Sequence, residues 1–333
     1  MVASRAFVVG GTGQIGRAVA LRLANAGWDV TIAARTRNRF TADLEDAVSF
    51  VTLDRSEGLA IDGEFEAVVD VIPYSDMDAQ QLLALAGRVG TIAAISSVSV
   101  YVDDQGRTLD EATGVATLPR YPMPLRETQP TVRPGPQTYS TGKAAVEKVL
   151  LEQDLVPATV VRPVAVYGPW GEFTREQYFV RRALDGRSFI VLPHRGANTF
   201  HPTSVENIAE LVRLSVEKPG TRVFNCGDPN PPTILEISRA VAAAVGHSWT
   251  ECLLPGDAVD GVGRTPWGRT LAPLVVDMTE AERQVAYRPA ITYEEAVVAT
   301  CQWVVDERPP LGDYMDTFFD YEAEDTFVET LAS

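Results

Sequence analysis

The sequence predicts an α/β protein, a doubly wound parallel sheet with a smaller C-terminal substrate-binding lobe. Three observations carry this. Short β-rich runs alternate with amphipathic helical patterns through the first half of the chain. The strand runs are apolar almost throughout, as strands covered on both faces are. A glycine cluster, GGTGQIG at residues 10–16, stands directly between the first strand run and the first helical pattern.

Residues 5–9 (RAFVV) read as the first strand. Residues 14–26 read as a helix with Ile15, Val19 and Leu23 on one face and Gly27 as its stop. Further strand runs fall at 28–34, 48–53, 67–72, 90–96 and 158–163, and helical patterns at about 76–88 and 137–153. The stretch from Val102 to Pro136 breaks this rhythm with Pro119, Pro122, Pro124, Pro130, Pro134 and Pro136. A loop that long is either a functional lid or a surface insertion. In the second half, Thr203 with Glu206, Thr233 with Glu236 and Thr292 with Glu295 read as capping boxes at helix starts. A strand at 221–226 is expected to rejoin the sheet. The expected division is 1–168 with 201–226 as the first lobe, 169–200 with 227–308 as the second, and 309–333 as a tail.

Composition narrows the function classes. The 333 residues carry a formal charge of −16, with 45% hydrophobic and 22% charged residues, a globular balance with material for about two domains. An acidic chain repels phosphate backbones, so nucleic-acid binding is not expected. No apolar run is long enough to cross a membrane, and the N-terminus lacks a secretory pattern. Cys226, Cys252 and Cys301 are scattered and odd in number, as are the three histidines, so no metal or disulfide framework is expected and the chain reads as cytoplasmic. Residues 309–333 hold seven acidic side chains, no basic one and five aromatics. Disordered acidic tails are poor in aromatics, so this one is expected to dock on the body.

The glycine cluster has a physical reading. A tight turn needs positive φ, a pyrophosphate needs bare backbone, and the helix must sit close to the strand. The helix N-terminus then offers N–H groups and a positive dipole end to phosphates. Gly10, Thr12, Gly13, Gln14, Ile15 and Gly16 are therefore candidate dinucleotide-binding residues of a Rossmann-type lobe. An acidic residue at the end of the second strand would hold the ribose of NAD, but Asp29 comes too early and the strand ends in Arg35. Arginine can grip a 2′-phosphate, so NADP(H) is the expected cofactor. Asp54, at the end of the third strand, is placed to meet the adenine. Arg55 and Pro163 complete the candidate cofactor set.

Residues 139–143 read YSTGK on a predicted helix, so Tyr139 and Lys143 share one face. Ser96 and Ser97 stand at the C-terminal end of a predicted strand, the edge where open α/β sheets bind ligands. With these pieces in order (GGTGQIG, LDRS, SSVSVY, YSTGK, RPVAVYGP, HPTSVENIAEL), residues 5–215 resemble the extended short-chain dehydrogenase/reductases, the NAD-dependent epimerase/dehydratase family. The resemblance implies Tyr139 as general acid/base, Lys143 as the residue that holds the nicotinamide ribose and lowers the phenol pKa, and Ser97 as a hydrogen-bond partner of the substrate oxygen. It also implies a possible homodimer.

The chain departs from the family's sugar-nucleotide enzymes at three places, the first being the strand-four segment VVDVIPYSD, which lacks their usual His and Ala pair. Their arginine before the HV-type segment falls near Ala197 here, with Arg195 two residues early, and their asparagine after the sixth strand is Ala165. These departures, with Arg35, make an NADPH-dependent reductase of a small carbonyl or alcohol the leading expectation. A sugar or nucleotide-sugar epimerase/dehydratase is the alternative, and a non-catalytic NADP-binding sensor or RNA-associated protein the third. Substrate contacts are expected from Tyr74, Tyr101, Trp170 and His201, with Tyr167, Phe173 and Phe200 as further candidates.

Overall fold

The computed structural model describes residues 3–39, 41–267 and 274–332. Its elements in chain order are β1 (Arg5–Val9), α1 (Gln14–Asn25), β2 (Asp29–Ala34), α2 (Ala42–Glu45), β3 (Ser49–Thr52), β4 (Phe65–Asp70), α3 (Asp76–Leu83), β5 (Val89–Ile95), α4 (Tyr139–Leu151), β6 (Ala158–Pro163), β7 (Ala165–Tyr167), α5 (Gln177–Leu184), β8 (Phe189–Leu192), β9 (Pro202–Ser204), α6 (Val205–Glu217), β10 (Arg222–Cys226), α7 (Ile234–Ala244), β11 (Thr250–Leu253), α8 (Thr279–Val285), α9 (Tyr293–Glu307), α10 (Gly312–Asp316) and α11 (Tyr321–Ala332). They fall into two units. The first comprises residues 1–166, 203–227 and 276–290, and the second 167–202, 228–275 and 291–333.

The first unit is a seven-stranded sheet in the order β10-β6-β5-β4-β1-β2-β3, with every pair parallel. The predicted doubly wound architecture is therefore present. Strand alternation divides the core between the two faces. Ala6 and Val8 join Val19 and Leu23 of α1 and Ile208, Leu211 and Val212 of α6 on one side. Phe7 and Val9 join Ala79 and Leu82 of α3 and Val146 and Leu150 of α4 on the other. With both faces covered, the strands carry no polar alternation to give up, which is why they read as continuous apolar runs.

Two boundaries differ from expectation. Residues 276–290, expected in the second lobe, belong to the first unit: Ala281, Val285 and Tyr287 enter its core, and the Ala290 N–H donates to Asn207 at 2.6 Å. The cap of α6 is Ser204, not Thr203; Thr203 instead donates to the Cys226 carbonyl at 2.7 Å, tying the start of α6 to β10. The boxes at Thr233 and Thr292 form as predicted. The proline-rich stretch 102–136 is gathered by the Asp103 carboxylate, which accepts from the backbone N–H groups of Gln105, Arg107 and Arg120 and from the Arg107 guanidinium. These bonds hold the Asp103 carboxyl far below the usual range against the effect of burial.

The second unit packs α5, α7 and α9 beside a parallel pair, β8 with β11. Its tail has a docking device that composition alone does not reveal. Arg182 of α5, almost wholly buried, donates to Glu324 of α11 at 2.5 Å and to the Phe318 carbonyl at 2.8 Å. Arg187 pairs with Asp325 at 2.6 Å. Met315 and Phe318 enter the core between them. Deleting residues 309–333 would leave Arg182 charged and unpaired, so the truncated protein is expected to lose about 3 kcal/mol or more of stability. Thermal melting checks this, and an unchanged melting temperature would show the tail to be dispensable. Among the described residues, no helix is long and apolar enough to cross a membrane.

Candidate active site

The glycine loop lies at the topological switch point, where β1 is flanked by β2 on one side and β4 on the other. Gly10 has φ +79°, and a Cβ there would stand 2.8 Å from Val71. A Cβ on Gly16 would stand 2.2 Å from the Gly10 carbonyl oxygen, so only glycine lets α1 start this close to the strand. The cap residue Gly13 has no side chain to satisfy the first turn, and that turn carries no acidic residue. A twelve-residue helix thus presents an uncompensated positive end beside bare backbone, which fits a pyrophosphate.

The loop after β2 is organised by a residue that the sequence reading did not single out. Arg17, on α1 and buried, donates to the Arg39 carbonyl at 3.1 Å and reaches both Thr41 and Asp43. It fixes the segment that follows Arg35, whose own side chain is exposed at the end of β2. The signal was present in the spacing, since Arg17 lies one turn into the phosphate-type helix, but its partners are far off in sequence. Asp54 caps the short turn 55–57, accepting from the Ser56 N–H at 2.9 Å, and its carboxyl is pulled below the usual range chiefly by Ser56. Arg55, placed in the cofactor set from sequence, is occupied otherwise. It pairs with Asp70 at 2.5 Å and Asp78 at 2.7 Å, within the unit's interior.

Three polar side chains gather at the C-terminal edge of the sheet. Thr138 caps α4 in a box with Thr141 and so places Tyr139 at the first helical position, half exposed. Lys143, one turn on, is 2% exposed and donates to the Ile95 carbonyl at 2.8 Å, at the very end of β5. Its ammonium is 5.6 Å from the centre of the Tyr139 ring and 4.6 Å from that of Tyr74. Ser97 follows β5 and accepts from the Ser99 N–H at 3.1 Å. Ser96 points the other way. It is buried and donates to Glu147 at 2.5 Å, which removes it as a substrate contact.

Electrostatics separate the two ionisable members. Burial pushes the Tyr139 hydroxyl up to about 12, the neighbouring Tyr74 adds to this, and Ser97 opposes it. Burial pulls Lys143 down to about 8, while Asp70, Asp78 and Glu147 hold it up. Lys143 therefore stays mostly protonated near neutrality, a buried cation steadied by acids at some distance. Tyr139 is a protonated phenol, able to donate.

The expected substrate residues are not equivalent. Tyr74 is 56% exposed with its ring 6.1 Å from that of Tyr139. Tyr101, by contrast, has no exposed surface and donates to Asn225 at 2.6 Å; it is a core residue of the first unit. Pro163 ends β6 at the same sheet edge, buried. In the second unit, His201 is 4% exposed with Nε2 at 2.9 Å from the Asp228 carbonyl, a structural arrangement, and burial lowers its pKa to about 4. Tyr167 is likewise buried and donates to Asp228 at 2.7 Å. Trp170 adopts φ +68°, rare for a bulky residue, with its ring 6.4 Å from Trp303. Among the described residues no cluster of His, Cys, Asp and Glu could hold a metal ion.

Residues 6–75 match the NAD dependent epimerase/dehydratase family. A curated relative, the uncharacterized protein YbjS of Escherichia coli (strain K12), is 24% identical over half of this chain, and the chain spans 57% of that protein's length. Among solved structures, UDP-N-acetylglucosamine 4-epimerase from Methanobrevibacter ruminantium M1, in complex with UDP-N-acetylmuramic acid, superposes with a TM-score of 0.68 at 17% identity, covering 92% of this chain and 100% of that one. UDP-glucuronic acid 4-epimerase from Bacillus cereus, in complex with NAD, gives 0.64 at 16% identity, covering 92% and 99%. dTDP-glucose 4,6-dehydratase from Bacillus anthracis str. Ames, also with NAD, gives 0.62 at 17% identity, covering 92% and 98%. The resemblance read from the motifs therefore holds: over residues 6–75 the chain matches the NAD-dependent epimerase/dehydratase family, and it carries the fold of the extended short-chain dehydrogenase/reductases.

Proposed function

We propose that this chain is a nicotinamide-dinucleotide-dependent enzyme of the epimerase/dehydratase kind, acting on a carbinol carbon of a sugar nucleotide. The observation that carries the chemistry is the convergence of Tyr139, Lys143 and Ser97 on the sheet edge that also bears the glycine loop. The substrate class is supported by the solved structures, whose names are those of UDP-sugar and dTDP-sugar enzymes. They favour it over the carbonyl reductase expected first.

In this reading the glycine loop and the start of α1 hold the pyrophosphate, and Lys143 orients the adjoining ribose. The dinucleotide, when bound, supplies the hydride acceptor and donor. Ser97 positions the substrate oxygen. Tyr139 takes the proton from that oxygen as the carbon is oxidised and returns it on reduction. Lys143 favours the phenolate that must be present before the proton is taken and that re-forms when it is returned; between the two steps Tyr139 is the neutral phenol. Incubation of the protein and dinucleotide with UDP-sugars and dTDP-sugars, followed by chromatography of the nucleotides, tests this. A new sugar nucleotide without stoichiometric reduced cofactor supports it; sustained consumption of NADPH by simple ketones would replace it with net reduction.

Arg35 keeps that second reading in play, since it stands where an acidic residue would select NAD. In either reading Arg35 serves the 2′-phosphate of NADP. Arg35→Ala is expected to weaken NADP binding about 10-fold or more with little effect on NAD. Calorimetric titration with both dinucleotides decides, and equal losses would refute the role.

A further inference from the structure

The balance of buried charge in the first unit points to Asp70. This residue ends β4, inside the segment VVDVIPYSD, and is wholly buried. In the sheet it pairs with Ala94 of β5, the residue before Ile95, whose carbonyl receives the Lys143 ammonium. Its carboxylate accepts from the Ile72 N–H at 3.0 Å and forms an ion pair with Arg55 at 2.5 Å. Arg55 also pairs with Asp78 of α3, at 2.7 Å. Asp78 in turn accepts from the N–H groups of Tyr74 and Ser75, at 2.8 and 2.9 Å. It thereby holds the segment whose Tyr74 ring lies 4.6 Å from the Lys143 ammonium.

Two carboxylates therefore share one guanidinium, and the set is one positive charge short. A surplus charge held away from water is costly, so the arrangement calls for a second cation. Lys143, 2% exposed, is the buried cation at hand. Among the described residues it has no direct ion pair. Glu147, one turn further along α4, is committed to Arg162. The remaining titratable groups facing the ammonium are the Tyr74 and Tyr139 phenols. Burial works to strip Lys143 of its proton; Asp70 opposes this most, then Asp78 and Glu147, while Arg55 sides with burial. Burial likewise pushes the Asp70 carboxyl up, opposed chiefly by Arg55.

Resting on the role given to Lys143 above, we infer that Asp70 is a positioning residue that holds Lys143 as an ammonium, with Arg55 binding Asp70 and Asp78 together as its counter-charge. Asp70 acts through Lys143.

The sequence has three lysines, Lys143, Lys148 and Lys218, so Lys143 can be followed directly. The full chain, carrying carbon-13-labelled lysine, is titrated by NMR without substrate, and Lys143→Arg assigns the signal. Lys143 is expected to lose its proton at about pH 8 in wild type. In Asp70→Asn it should do so about one pH unit or more lower, because a nearby opposite charge is gone. Asp70→Asn/Arg55→Gln removes the ion pair whole and leaves no orphaned guanidinium, so it keeps the test open if the single variant does not fold. It should shift Lys143 in the same direction by a smaller amount. The exposed Lys148 and Lys218 should titrate alike in every protein. A folded variant of either kind in which Lys143 titrates as in wild type overturns the inference. In turnover, the ammonium's contribution is present below its pKa and lost as pH rises through it. The alkaline fall in rate should therefore move to lower pH with the titration; an unmoved fall would overturn the part of Asp70 in the reaction. A shifted titration with no turnover of any sugar nucleotide by wild type leaves Asp70 as the residue that charges Lys143 and removes the function proposed above.

Discussion

Tyr139→Phe is expected to lower turnover by about 10²- to 10⁴-fold while leaving dinucleotide affinity and stability nearly unchanged. The substitution removes one oxygen from a half-exposed ring at the first position of α4, so it opens no cavity. It also removes the phenol whose ring lies near the Lys143 ammonium and whose hydroxyl bonds Ser97. Tyr74, its neighbour, comes from the loop before α3, with the Lys143 ammonium 4.6 Å from its ring centre. Steady-state rates with the same sugar nucleotides, alongside dinucleotide titration, give the result. Activity within a few-fold of wild type would show that another group moves the proton.

Glu147→Ala is expected to destabilise the first unit by about 3–5 kcal/mol. Glu147 lies two turns after Tyr139 on α4, and the Arg162 guanidinium of β6 donates to it at 2.9 and 2.5 Å. Both side chains are 5% exposed. The same carboxylate accepts from Ser96, the residue just before Ser97. Removing it leaves an arginine charged and uncompensated in the interior, and frees the end of β5 that carries Ser97. The Arg162 stack on Tyr101, at 4.7 Å, retains it in place but supplies no negative charge. Denaturant unfolding measures the loss. A change below about 1 kcal/mol would mean that Arg162 finds water or another acceptor on its own.

Legibility of the fold and the site followed sequence distance. The parallel sheet was readable because each strand's environment, buried on both faces, is written in consecutive residues. The glycine loop and the Tyr139–Lys143 pair were readable because their spacing is local. Thr203 was misread as a cap because Ser204 offers the same chemistry one residue on, and only the Cys226 carbonyl distinguishes them. Tyr101 looked like a substrate residue because it ends the SSVSVY motif, yet its environment is set by Asn225, 124 positions away. Arg55 was drawn into the cofactor set by its neighbour Asp54, while its partners Asp70 and Asp78 come from β4 and α3.

The most direct test of the account is rapid mixing of the protein–dinucleotide complex with UDP-sugars and dTDP-sugars, followed by the near-ultraviolet absorbance of reduced nicotinamide. The account predicts a rise in absorbance with at least one sugar nucleotide in wild type, and none on that timescale in Tyr139→Phe. No rise with any of them, or the same rise in both proteins, would contradict it.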